Sequence, residues 1–327
     1  MQLGQHAEPS HVVAHLSDPH LLAGGARLHG VLDTTANLRR ELEQLEASGI
    51  GPDAIVFTGD LADLGEPEAY ARLRAEVEPV ADRLGAALVW VMGNHDERAP
   101  YAKHLFDEES DGLRPQDRIY DVRGLRIISL DTTVPGYHHG ALEPEQLDWL
   151  RAELAIPAEH GTLVAVHHPP IPSPLTEAMS ILELEDQGGL ADVLRGTDVR
   201  AILGGHLHYS THSLLAGIPV SVASASCYTL ALGRTEAMLG GVDAFQAFSA
   251  VHVYADRIVH TTVPLGAPPL VSGHPAEAAE RLAAIPPAAR PELFSRKDAG
   301  PDAAAALAGD SGALERVIAA AEAGRGA

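Results

Sequence analysis

Two periods of apolar residues alternate along the first two thirds of this chain. Short runs rich in β-branched residues, such as Ala54-Ile55-Val56-Phe57-Thr58, predict strands buried on both faces. Comparable runs occupy residues 11–17, 87–92, 162–166 and 199–203. Between them the spacing becomes helical. Leu38, Leu42 and Leu45 predict a helix over residues 34–48. Tyr70, Leu73, Val77, Val80 and Leu84 line one face of a second helix, which Pro67 opens. Leu147, Leu150 and Leu154 mark a third over residues 144–154. Residues 118–131 read as a hairpin turning at Arg123-Gly124, preceded by a less regular segment. Residues 210–263 read as strand after strand with tight turns. The pattern predicts an α/β fold in which two mixed sheets pack face to face with helices outside.

Composition divides the chain once. From about residue 266 it turns rich in Ala, Pro and Gly. This predicts a catalytic domain over residues 1–265 and an extension over 266–327, disordered in part or helical near 313–323. The 46% hydrophobic content is that of an ordinary soluble protein. No apolar run approaches the roughly 18 residues of a membrane span. The first residues lack the basic start and apolar stretch of a secretory signal. The single Cys227 rules out an intrachain disulfide framework, so a cytoplasmic protein is expected. The Glu-rich stretch 41–46 reads as a solvated helix face. A net charge of −22 with no Lys/Arg cluster argues against a nucleic-acid polymer as partner. A small anion remains compatible with it, provided local positive charge overcomes the global field.

Metal-binding residue types gather where the strands end. The blocks are Asp18-Pro19-His20, Gly59-Asp60, Gly93-Asn94-His95-Asp96, His167-His168 and Gly205-His206-Leu207-His208. Ligands in α/β sheets bind beyond the carboxyl ends of strands, where all five blocks lie. Hard ions at catalytic centres take carboxylate, amide oxygen and imidazole. Asp60, on the central strand, is the natural bridge between two ions. Asp18 and His20 can aim at one ion, and His206 and His208 can divide between the two. Asn94 adds a neutral oxygen, and His167 completes the second ion. Two ions about 3.5–4 Å apart generate a hydroxide near neutral pH and clamp a phosphoryl oxygen.

Other residues are ranked by position. His95 is placed to protonate the leaving oxygen. Asp63 could orient His95 or an outer water, or simply brace the turn before Pro67. His168 could brace its loop or touch substrate. His138 and His139 occupy a Gly-bounded loop that either faces substrate or is a surface turn. His29 and nine others (His6, His11, His15, His104, His160, His212, His252, His260 and His274) show no partner pattern and are expected to be incidental.

Taken together, the five blocks resemble the calcineurin-like metallophosphoesterases over about residues 10–263. Asp53–Asp63, Leu88–Asp96, His167–Ser173 and Gly205–Thr211 resemble the class III cyclic-nucleotide phosphodiesterases of actinobacterial type. The resemblance implies a four-layer αββα sandwich. It also implies hydrolysis of 3′,5′-cyclic AMP, with cyclic GMP as a second substrate, by attack of a metal-bridging hydroxide. A broader diesterase acting on 2′,3′-cyclic nucleotides or other small diesters is the alternative. The resemblance assigns Asp18, His20, Asp60 and His208 to one metal, and Asp60, Asn94, His167 and His206 to the other. It places Asn94, His95, His138 and His208 against substrate, and His95, with Asp63 behind it, in the catalytic role. Two ions per chain are implied, iron and manganese, with zinc or cobalt able to replace them, and so is a homodimer.

Overall fold

Each element of the computed structural model follows from a local feature of the chain. It describes residues 4–175, 177–234, 236–274, 277–287, 290–297 and 300–323. Strand β1 (His11–Leu16) leads through the first polar block to α1 (Thr34–Ala47), whose first turn is capped by Asp33 Oδ1 accepting from the Ala36 N–H at 3.0 Å. Strand β2 (Ala54–Thr58) precedes α2 (Pro67–Leu84), which opens on proline and stops at Gly85, in the left-handed region at φ 68°. Then come β3 (Ala87–Val91), α3 (Arg98–Phe106) and a hairpin of β4 (Arg118–Val122) and β5 (Leu125–Leu130). Helix α4 (Pro144–Glu153) carries a capping box between Glu143 and Gln146 and leads to β6 (Thr162–Val166). Helix α5 (Gln187–Leu194) crosses to β7 (Val199–Gly204). Six further strands finish this part: β8 (Thr211–Leu215), β9 (Ile218–Val222), β10 (Thr229–Leu230), β11 (Gly241–Val242), β12 (Ala247–Val253) and β13 (Ile258–Pro264).

These strands form two large mixed sheets, ordered β13-β12-β1-β2-β3 and β4-β5-β6-β7-β9-β8, and a small β10-β11 ribbon. The parallel pairs β1-β2, β2-β3, β5-β6 and β6-β7 all send their carboxyl ends toward the polar blocks. Val13, Val56 and Val89 of one sheet meet Ile127, Leu163 and Leu203 of the other in a core between the sheets. The outer face of the first sheet packs under α1, α2 and α3, and that of the second under α4 and α5. The expected αββα layering is present.

Two details depart from the sequence reading. The less regular segment before the hairpin contains α3, whose buried stripe of Tyr101, Ala102 and Leu105 is too short to stand out by period. Glu41 is not on a solvated face: it is fully buried, because it shares the inward stripe of α1 with Leu38, Leu42 and Leu45. His11 and His15, expected to be incidental, are buried on β1.

The chain divides into two compact units, Pro9–Gly266 and the described residues of Met1–Glu8 with Ala267–Ala327. The second contains α6 (Ala278–Ala284), α7 (Pro301–Ala308) and α8 (Ser311–Ala323), which share a core that includes Leu282, Ile285 and Leu307. Among the described residues, no helix is long and apolar enough to cross a membrane.

Candidate metal centre

Five strand ends converge on one rim, and the backbone there is strained. Asp18 (φ 53°), His20 (45°), Asp60 (49°), His206 (69°) and His208 (55°) all occupy the left-handed region without being glycine. Each such residue costs on the order of 1–3 kcal/mol, and such residues concentrate at functional sites. The neighbouring glycines make the approach feasible. A Cβ at Gly93 would collide with the backbone and carboxylate of Asp60, and one at Gly205 with Ser17 Oγ and Thr58 O.

The carboxylates and imidazoles close on two adjacent points. Asp18, His20, Asp60 and His208 form one buried cluster. Within it, His20 Nε2 lies 3.3 Å from Asp60 Oδ2 and 3.2 Å from His208 Nε2, while His208 Nε2 lies 3.5 Å from Asp18 Oδ1. Beside it, His167 Nε2 stands 3.4 Å from the same Asp60 Oδ2 and 3.0 Å from Asn94 Oδ1. The His206 ring lies 5.0 Å from that of His167. Asp60 Oδ2 is thus shared by both points. Its Oδ1 accepts the His95 N–H at 2.9 Å, which fixes the carboxylate.

Outer contacts orient all four imidazoles. His20 Nδ1 meets Asp63 Oδ1 at 2.9 Å, His167 Nδ1 the Thr58 carbonyl at 2.7 Å, His206 Nε2 the Leu182 carbonyl at 3.0 Å, and His208 Nδ1 the Tyr228 carbonyl at 3.1 Å. With the outer nitrogen of each ring held by an acceptor, the other nitrogen is left to serve as the ligand atom when a metal ion is bound. The inner nitrogens of His20 and His208 face each other across 3.2 Å, beside the carboxylates of Asp60 and Asp18. A proton or a metal ion must sit between them. The donor set, imidazole with carboxylate and amide oxygen, fits a pair of metal ions.

Electrostatics give the same picture. Burial alone would lower the His20 pKa, but the facing Asp60 carboxylate, helped by Asp63 and Asp18, draws it up to about 10. His167 rises against its burial to about 9 for the same reason, Asp60 foremost. Burial would raise Asp18, but His208 and His167 hold it down at about 2. The pocket calls for positive charge. His206, by contrast, is driven down to about 3 by burial and by His167.

The residues around the centre sort clearly. His95 Nδ1–H donates to the Asp63 carbonyl at 3.0 Å, leaving Nε2 to face the cleft, while the Asp63 carboxylate engages His20 more closely than His95, at 2.9 against 3.4 Å. Burial works against the His95 imidazolium, but Asp63 and Asp60 outweigh it and raise the pKa. His138 is exposed at the rim, where its Nδ1 accepts from Asn94 Nδ2 at 2.8 Å. His139 points to Glu185 instead, at 3.6 Å. His168 is a brace: it is fully buried, its Nδ1 accepts from Thr132 Oγ1 at 2.8 Å, and its Nε2–H donates to the His138 carbonyl at 3.1 Å. Asp96 ties two loops together by accepting from the N–H groups of Leu61, Ala62 and Gly93 and from Tyr70 Oη.

Residues without any sequence signal also line the cleft, which has a volume of about 160 Å³. They include Leu28, His29, Met179, Leu182, Tyr228, Leu230 and Leu239. His29, expected to be incidental, belongs here because the turn closed by Leu28 and Leu32 carries it over the site. Tyr228 arrives from the return after β9, and no local pattern could have announced it.

Comparison with known proteins agrees with this geometry. The family model described as calcineurin-like phosphoesterase matches residues 11–210. A cAMP/cGMP dual specificity phosphodiesterase of Mycobacterium tuberculosis (strain CDC 1551 / Oshkosh) is 52% identical over 300 residues, 90% of this chain and 94% of its own. A 3′,5′-cyclic adenosine monophosphate phosphodiesterase of Pseudomonas aeruginosa is 33% identical, over 70% of this chain and 81% of its own. The crystal structure of a dimetal phosphatase from Danio rerio shares the fold at 16% identity with a TM-score of 0.57, covering 79% of this chain and 97% of its own.

Proposed function

This chain belongs to the calcineurin-like phosphoesterase family, and on that premise we propose that it is a metal-dependent phosphodiesterase that hydrolyses 3′,5′-cyclic AMP, and cyclic GMP, to the 5′-nucleotide. The observation that carries this reading is the rim of imidazoles and carboxylates around Asp60, with every outward imidazole nitrogen already engaged. The names of its relatives specify the diester.

Asp18, His20, Asp60 and His208 would hold one ion, and Asp60, Asn94, His167 and His206 the other. Iron and manganese are the occupants we assign, in a set that zinc or cobalt also satisfies. When bound, such a pair supplies a nucleophilic water near neutral pH and a positive clamp on the phosphoryl oxygens. The protein does the rest. Asp60, anchored by the His95 N–H, keeps both halves of the centre in register. His95 Nε2 faces the cleft and delivers a proton to the departing 3′ oxygen, its ring held by the Asp63 carbonyl. His138, steadied through His168 and Asn94, overhangs the phosphate. The reading includes a homodimer, which light scattering measures.

The test is a steady-state substrate panel on protein of defined metal content. The expected order is 3′,5′-cAMP well ahead of 2′,3′-cAMP and of p-nitrophenyl phosphate. Faster turnover of 2′,3′-cAMP would sink the second-messenger assignment. Asp60→Ala should bind fewer than two ions and lose turnover while its far-UV circular dichroism stays native. Retained activity would remove the two-ion arrangement.

A further inference from the structure

Chemistry at the phosphate uses only the polar residues of the cleft. Aromatic and apolar residues line it as well, among them Leu28, His29, Tyr228, Leu230 and Leu239. Nothing in diester hydrolysis requires such a wall, so it faces another part of the substrate.

Tyr228 is the centre of that wall and is held from three sides. Its carbonyl accepts the His208 Nδ1–H at 3.1 Å, and its ring lies 4.5 Å from the His208 ring, centroid to centroid. Behind it, Gly241 of β11 leaves the space that a side chain would fill: an added Cβ would stand 2.7 Å from Tyr228 Cδ2 and Cε2. Across the mouth, the His29 ring meets Tyr228 edge-on, 5.6 Å away at 64°. His29 is exposed and sits at the tip of a turn closed by paired Leu28 and Leu32 hydrogen bonds of 2.9 and 3.0 Å. Two rings at a steep angle, fixed beside the His208 imidazole, make an aromatic corner next to the proposed metal centre.

We propose that the Tyr228–His29 corner is the nucleobase subsite, receiving the purine of a cyclic nucleotide against Tyr228 while the phosphate rests at the metal centre. The assignment rests on the cyclic-nucleotide reading above. Aromatic stacking accepts any purine, because every base has a π-face, so this subsite grips adenine and guanine alike. Affinity here enters mainly through KM, since the corner touches no reacting atom.

The probes are 3′,5′-cAMP, 3′,5′-cGMP and a base-free analogue, methyl ribofuranoside 3′,5′-cyclic phosphate. Tyr228→Leu should lower the ratio of kcat/KM for either nucleotide to that for the base-free diester by about tenfold, through KM, with two metals still bound. Tyr228→Phe should restore that ratio, and His29→Ala should lower it less. If Tyr228→Leu depresses all three substrates equally, the ring merely supports His208 and the subsite is wrong. An independent measurement uses the wild type alone: 5′-AMP should inhibit about tenfold more strongly than ribose 5-phosphate, and equal inhibition would also overturn the subsite. Absence of any cyclic-nucleotide turnover by the wild type, with the base-free diester still cleaved, is instead the failure of the function itself.

Discussion

Glu41 offers a stability experiment whose sign is unusual. Its carboxyl is fully buried on α1, and neither oxygen has a hydrogen-bond partner. Burial raises its pKa from 4.5 to about 8, only partly offset by the nearby Ser226 hydroxyl and the Arg40 charge. The native state therefore keeps a proton that the unfolded chain gives up above pH 4.5. Between the two pKa values the folded form binds more protons, so stability falls as pH rises from about 4.5 to about 8. One pKa unit corresponds to about 1.4 kcal/mol, so this single group should remove about 2 kcal/mol between pH 6 and pH 8. Glu41→Gln keeps the shape and abolishes the titration. Urea unfolding of both proteins at a series of pH values, with the same excess of Mn²⁺ throughout, isolates the effect, because all other titrations cancel in the difference. The variant should gain about 2 kcal/mol on the wild type between those two pH values. Parallel curves would refute the reasoning and mean that water or a rearranged hydroxyl solvates the carboxylate.

Two further substitutions probe the frame of the site. Gly205→Ala forces a methyl group into Ser17 Oγ and Thr58 O, so it should shift the His206-His208 loop and lower kcat by at least tenfold with modest loss of overall stability; a variant of wild-type activity would show that the loop yields. Arg98→Met removes the buried partner of Asp131, to which Arg98 Nε donates at 3.0 Å, and should cost about 3–5 kcal/mol in urea titration because a buried carboxylate is left without its cation. A loss below about 1 kcal/mol would mean that the N–H groups of Gln116 and Thr133 suffice for Asp131.

The sequence determined the strands, the main helices and the seven positions proposed as metal ligands, because each depends on local pattern. A run such as residues 54–58 has one stable solution, burial on both faces, and the block that follows must then emerge at the strand's carboxyl end. What it could not supply was anything decided by contacts between distant segments. Glu41 lay on the same helical stripe as Leu38 and Leu45, so its burial could have been read, but charge suggested solvent and only packing overruled it. The division of labour among the imidazoles needed Thr58, Asp63, Leu182 and Tyr228, whose carbonyls and carboxylate fix which nitrogen faces inward. Left-handed backbone at five polar residues is invisible to propensity, which predicts glycine there. The aromatic corner depended most on tertiary structure. Tyr228 and His29 are separated by most of the chain, and neither belongs to a motif. Short-range periodicity encodes what each segment becomes, whereas the identity of a bound molecule depends on which segments meet.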